Sequence, residues 1–444
     1  MSFSDTKTWA NEMFGECDLG DKRRTDRLVS MAQRAAENPS ASFPVQMETW
    51  SDVKAAYRIF DSPHVSFAKI ATPHWEHTRR QATGRTLVIC DTTELDFGKH
   101  RDIAGVGPTG NGSGHGFLLH NGMMVDAGTH SILGVAGQTI HYRPQKKHSK
   151  KENASQKFKR KRESQVWGRV IDEIGKPADD ASYVYVCDRG ADNFEVFCHL
   201  QQNNADWVIR AKAKNRKLLT PAGETVTLSK LLGRLTTRGQ YELELRTRPD
   251  QPARTATIEV SSGQALMPVP RQTSPWIRSL KPEPIPVNIV RVREVDAPDG
   301  VEPIEWVLYT SLPATTFAHI WTVIEIYEAR WLVEEFHKAL KSGTRVKARQ
   351  LKSAARLEAM VGLMSVVSVR LLQLKTLANA EPERPARTVV PLVAVHGLFS
   401  SETNPVRFWF WMACLTNSAT GRFCWRQVSM MVSIVSTNRL PRSL

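Results

Sequence analysis

The sequence predicts an α/β protein: a mixed sheet flanked by helices, preceded by a basic helical module and interrupted by an antiparallel β insertion. Three observations carry that expectation. Two apolar β runs, TLVIC at 86–90 and ASYVYVC at 181–187, are separated by strand-like segments and helical patterns. Residues 218–311 change texture to short β runs punctuated by Pro and Gly. Beyond them the apolar spacing becomes helical.

At 444 residues the chain can bury a sizeable core and form about two or three domains. Apolar content of 41% is that of a globular chain. A net charge of +15 and a pI of 9.6 suit a polyanionic partner, nucleic acid above all. No basic-then-apolar leader opens MSFSDTKTWANEMF, so no secretory signal is expected. The best membrane candidate, 360–374, contains Arg370 and is too short to span; it reads as a buried helix. The six cysteines form no CxxC and no metal-finger spacing. Reduced thiols in a cytoplasmic protein, with no membrane partner, are the expectation.

In chain order, LGDKRRTDRLVSMAQRAAENP reads as a helix capped by Asp21 and closed before Pro39. Arg23, Arg24 and Arg27 share one side of its wheel, opposite Leu28, Val29, Ala32 and Ala36. SDVKAAYRIFDSP follows, with Ser51 as expected cap, carrying Lys54, Tyr57 and Arg58. Cationic faces backed by apolar ones are either solubility devices or phosphate contacts. TLVIC then leads straight into Asp91-Thr92-Thr93, and GFLLHNGMMVDA and ILGVAGQTIHYR continue an antiparallel meander. Between them GVGPTGNGSGHG contains a literal G-x-G-x-x-G. Pro108 inside it and a strand after it argue for a flexible loop instead of a nucleotide cradle.

Residues 146–162 hold nine Lys or Arg against one Glu, a block that is solvated alone or ordered on a phosphate backbone. Helices are expected over 163–174 and 193–203. Between them ASYVYVC, apolar on both faces, reads as a central strand ending at Asp188. DWVIRAKAKNRK runs from a strand into a basic loop bearing Arg210 and Lys212. After the insertion, YEARWLVEEFHKALK reads as one unbroken helix, and 356–375 as an apolar helix. On a wheel starting at Tyr327, Arg330, Glu334 and Lys341 fall within an arc of roughly 60° of it. Ordinary i,i+4 ion pairing on a solvated face would produce such an arc too.

An Asp after a buried strand is common, because it caps helices and starts turns. Two such positions and a later helical carboxylate, however, are what a two-metal phosphoryl-transfer site needs. Hard oxygen ligands select Mg²⁺ or Mn²⁺. No Walker A sequence is present.

The order DTT at Asp91, CDRGAD at Asp188 and Y-x2-R-x3-E-x6-K from Tyr327 to Lys341 resembles the signature of bacterial cut-and-paste DDE transposases. Within these it is similar to the IS-four family that includes the Tn-five transposase. LGDKRRTDRLV, AYRIF and EEFHKALKSG add to the resemblance, which spans 8–375. It implies a ribonuclease-H-like core with Asp91, Asp188 and Glu334 holding two Mg²⁺ or Mn²⁺. It implies that Tyr327, Arg330 and Lys341 grip end phosphates and that Trp306 stacks a flipped base. It also implies that Arg210 and Lys212 contact the DNA end, and that Arg24, Arg27, Tyr57 and Arg58 lie in an end-recognition domain. The implied domains are 1–75 for end binding, 76–375 for catalysis with the insertion at 218–311, and 376–444. The implied partners are double-stranded transposon ends and target DNA, handled by a homodimer. The implied reaction is nicking, hairpin closure, hairpin opening and joining of the freed 3′-OH.

The segment 379–444 departs from that pattern. It lacks helical periodicity and is acidic only at Glu381, Glu383 and Glu402. A frameshifted or degenerate end accounts for this. A family-like helix in another reading frame of the gene would support that origin, and its absence would remove it. Two alternatives remain at this stage: a nuclease that cuts without joining, and a DNA-end-binding remnant that inhibits transposition.

Overall fold

A computed structural model describes residues 5–145, 162–247 and 252–380. The basic block, apart from Arg162, and the segment after 380 lie outside the described residues. The chain opens on helices α1 (Thr6–Phe14), α2 (Lys22–Glu37), α3 (Phe43–Gln46), α4 (Trp50–Ile59) and α5 (Phe67–Arg80). Strands β1 (Gly84–Asp96), β2 (Gly107–Thr109), β3 (Gly114–Asp126) and β4 (Ile132–His141) follow. Next come α6 (Val166–Ile174), β5 (Ala181–Cys187), α7 (Phe194–Gln202) and β6 (Asp206–Arg210). The insertion comprises β7 (Lys217–Leu219), β8 (Thr225–Thr227), α8 (Leu228–Leu232), β9 (Thr236–Leu245), β10 (Arg254–Met267), α9 (Pro275–Leu280), β11 (Ile285–Glu294) and β12 (Glu305–Thr310). Helices α10 (Phe317–Glu328), α11 (Trp331–Lys338) and α12 (Ala354–Ala380) close the described chain.

Local chemistry explains the helix starts. The side chain of Asp21 accepts from Arg23 N, Asn193 from Val196 N and Thr316 from His319 N, each satisfying an amide that has no helical partner. The cap of α4 is Thr49, which accepts from Asp52 N; Ser51 lies inside the first turn. Thr49 is one turn upstream of Asp52, so its hydroxyl reaches the third helical amide and Ser51 cannot.

The strands form one mixed sheet in the order β2-β3-β1-β5-β6-β12-β11-β10-β7-β8, with β4 also on β3 and β9 also on β10. β1 runs antiparallel to β3 and parallel to β5, and β5 runs parallel to β6. This is the mixed α/β sheet of the ribonuclease-H-like class. Alternation along the strands splits the core. Leu87, Ile89, Val184 and Val186 face the layer that holds α1, α2, α5, α10, α11 and α12. Val88, Cys90, Tyr185 and Cys187 face α6 and α7. A Cβ at Gly122 would lie 2.6 Å from Ile174 Cδ1, so bare backbone lets α6 sit close on β3. The helix α12 is long and apolar enough to cross a membrane, yet most of that window is buried inside the protein. Arg370 within it lies over the Trp9 ring, 5.0 Å from the centroid.

Further expectations change. The glycine loop contributes β2, which pairs with the start of β3. The insertion is antiparallel as expected, but β12 pairs with β6, so it extends the core sheet. The helix expected over 327–341 is broken. Amides of Arg330, Leu332 and Val333 bond three residues back, and a π-helical turn covers Ala339–Gly343. No Gly or Pro marks the first break. It is a tertiary effect, at a residue whose side chain is tied to β1.

Candidate active site

β1 and β5 stay paired up to Cys90 and Cys187 and part there. Asp91 and Asp188 are the next residues on each, so they stand side by side. Asp91 is therefore not at a strand end: β1 continues to Asp96, paired with β3 only. Alternation points Asp91 to the face of Ile89, where α11 lies. Arg330, at the start of α11, places Nη1 2.8 Å from Asp91 Oδ2 and 3.5 Å from Glu334 Oε1. Thr92 N donates to Asp91 Oδ1 at 2.7 Å.

Burial raises the Asp91 carboxyl, and Asp188 and Glu334 raise it further, to about 7 against the pull of Arg330. Glu334 is held down to about 2, first by His337 beside it, with burial opposing and Arg330 assisting. Single ligand atoms of Asp91, Glu334 and His337 lie within 4.8 Å of one another. Asp188 is outside that trio; its Oδ1 accepts from Gly190 N at 2.7 Å and caps the turn Arg189–Ala191. The oxygen donors are hard and their negative charge exceeds what Arg330 balances, which suits a divalent cation.

The structure also brings Tyr327 and Trp306 to this face, their rings edge to face with centroids 5.3 Å apart. Arg210 ends β6, bonds Glu305 O at 3.3 Å and lies close enough to Tyr327 to oppose the rise that burial gives its hydroxyl. Lys341 sits in the π-helical turn, its ammonium lowered by burial and then by Lys347. Lys212 is exposed in the following loop, its backbone amide held by Asp192 Oδ2 at 2.7 Å.

The four amino-terminal candidates behave differently. Arg24 donates to Leu19 O at 2.6 Å, Arg27 pairs with Asp52 at 2.6 Å and Tyr57 packs on Phe43. Arg58 is exposed. His337, Asn121 and Gln138 were not singled out by sequence. His337 falls at about 280° on the Tyr327 wheel, beside the charged arc, which was the available signal. Asn121 and Gln138 sit on β3 and β4, and nothing local marks them.

Carboxylates gathered where two parallel strands part, on a mixed sheet between helices, define a ribonuclease-H-like nucleic-acid enzyme. Residues 6–65 match the family model described as transposase DNA-binding, and residues 82–369 match the transposase DDE domain. The chain belongs to the DDE transposases, metal-dependent enzymes of DNA cleavage and transfer, and DNA is its partner.

Proposed function

We propose that the chain is a cut-and-paste transposase of the IS-four type, similar to the Tn-five transposase, acting in the cytoplasm. Asp91, Asp188 and Glu334 hold two Mg²⁺ or Mn²⁺, with Asp188 swinging from its cap toward the neighbouring aspartate. The bound cations supply positive charge to the attacking and departing oxygens. Arg330, Tyr327 and Lys341 hold phosphates next to the cut, and Arg210 and Lys212 continue that contact along the end. Trp306, half-buried beside Tyr327, offers its face to a flipped base. Water nicks the end, the released 3′-OH closes a hairpin on the opposite strand, water reopens it, and the 3′-OH joins target DNA. Arg24, Arg27, Tyr57 and Arg58 belong to the end-recognition domain, 1–75. The catalytic domain is 76–375; 376–444 takes the place of the family's pairing region in the homodimer, with an atypical sequence.

The observation that carries this reading is the Arg330–Asp91 ion pair. It joins residues 239 positions apart, and the charges of Asp188 and Glu334 both act on the same Asp91 carboxyl. The test uses purified chain, a duplex bearing the element's terminal repeat, and Mg²⁺, scored for nicks, hairpins and joined strands. Asp188→Asn should lower all three products by more than about a thousandfold, since metal charge contributes several kcal/mol, while end binding persists. Nicking that survives the substitution would remove Asp188 from the site. Cutting without joining would reduce the reading to a nuclease.

A further inference from the structure

Behind Glu334 a line of buried polar groups runs into the protein. His337 Nδ1 lies 3.7 Å from Glu334 Oε2, and its Nε2 lies 3.0 Å from Asn121 Nδ2. Asn121 Oδ1 is 2.6 Å from Gln138 Nε2, which also reaches Ser365 Oγ at 3.3 Å. His337, Asn121, Gln138 and Ser365 are all buried. By distance alone, His337 could complete a mixed nitrogen and oxygen metal site with Asp91 and Glu334. The hydrogen-bond pattern argues against that.

We propose that His337 is a positioning residue that donates its Nδ1–H to Glu334 and does not itself ligate the metal. The inference rests on the reading of Glu334 as a metal ligand. Asn121 Nδ2 also lies 3.3 Å from Leu119 O, an obligate acceptor. The amino group of Asn121 must therefore face both Leu119 O and His337 Nε2. An NH₂ facing Nε2 requires that nitrogen to be a bare acceptor, so the ring proton sits on Nδ1.

The alternative turns both amides over. It would set Asn121 Oδ1 against Leu119 O and strand the amino group of Gln138 without an acceptor. The arrangement present leaves only Gln138 Oε1 without a partner, and a buried orphan oxygen is the lesser cost. With a proton on Nδ1, His337 has no free electron pair on the Glu334 side, and the pair on Nε2 is taken by Asn121. It can hold Oε2 and leave Oε1 of Glu334 for the metal. The 3.7 Å gap is longer than a hydrogen bond, so the contact tightens only when the site assembles.

The test is Mn²⁺ binding to the full chain, measured by calorimetry, with pulsed electron paramagnetic resonance of bound Mn²⁺ reporting any directly attached nitrogen. Wild-type chain should show no nitrogen coupling; a coupled nitrogen overturns the proposal without need of any variant. His337→Ala should weaken Mn²⁺ about 10–100-fold. His337→Asn, whose amide nitrogen falls near the place of Nδ1, should recover most of that loss, and His337→Gln should not. Metal-free melting confirms that each variant is folded. Equal affinity in His337→Ala and wild type, with Glu334→Gln impaired, overturns this inference alone. Indifference of Mn²⁺ to both Glu334→Gln and Asp91→Asn overturns the metal-site reading beneath it.

Discussion

The insertion and the candidate active site both place carboxylates on a partly buried sheet, and they treat charge in opposite ways. On β11, Glu294 pairs with Arg254 and also accepts from Ile304 N at 3.1 Å. Its neighbour on β12, Glu305, is gripped by Arg291 at 2.7 Å and by Lys214. The Arg254 hydrogen bond lowers Glu294; burial would raise Glu305, and Lys214 and Arg291 overcome it. At the candidate site three carboxylates share Arg330, and Asp91 is raised to about 7. Burial alone does not separate the two regions. The supply of cations does: a structural carboxylate has its own, and the candidate cluster is left short.

The largest expected effect concerns that shortage. On the proposed assignment Mg²⁺ competes with the proton on Asp91, so its affinity should fall by up to about tenfold per unit as pH drops below 7. Calorimetric titration between pH 5.5 and 8 reads this directly. A flat profile would place Asp91 among the ordinary paired carboxylates.

Stability sharpens the contrast with opposite signs. Glu294→Gln leaves Arg254 without its carboxylate and should destabilise the fold by about 1–3 kcal/mol in urea unfolding. Asp91→Asn should stabilise the metal-free chain by about 1–2 kcal/mol at pH 8. The sign follows from the raised folded value. The native chain binds this proton more tightly than the unfolded chain does, so ionisation costs stability as pH rises from 3.8 to about 7. The gain should therefore shrink as pH is lowered to 5. A destabilised Asp91→Asn would show that Arg330 compensates the site after all.

Much of the fold was legible because its signals are local. The cap Asp21, the apolar strand at 181–187 and the helices over 193–203 and 356–375 follow from residue type and period. Motif order names Asp91, Asp188, Glu334 and Arg330 as the proposed site. Their separations were not, nor was the partnership of Arg24 and Arg27 with atoms of their own domain. The wheel drawn from Tyr327 assumed one helix. The tightened turn at Arg330 and the π turn at Lys341 break that assumption.

The sequence by itself determined most of the strands and helices, which faces are apolar, and which acids could serve a metal. These depend on neighbours within a few positions along the chain. Only the tertiary structure decided that Cys90 and Cys187 are the last paired residues, that Leu308 pairs with Arg210, and that Asn121 faces His337. Each of these joins segments far apart in the chain, and such pairings are selected by the packing of the whole sheet and its two helical layers.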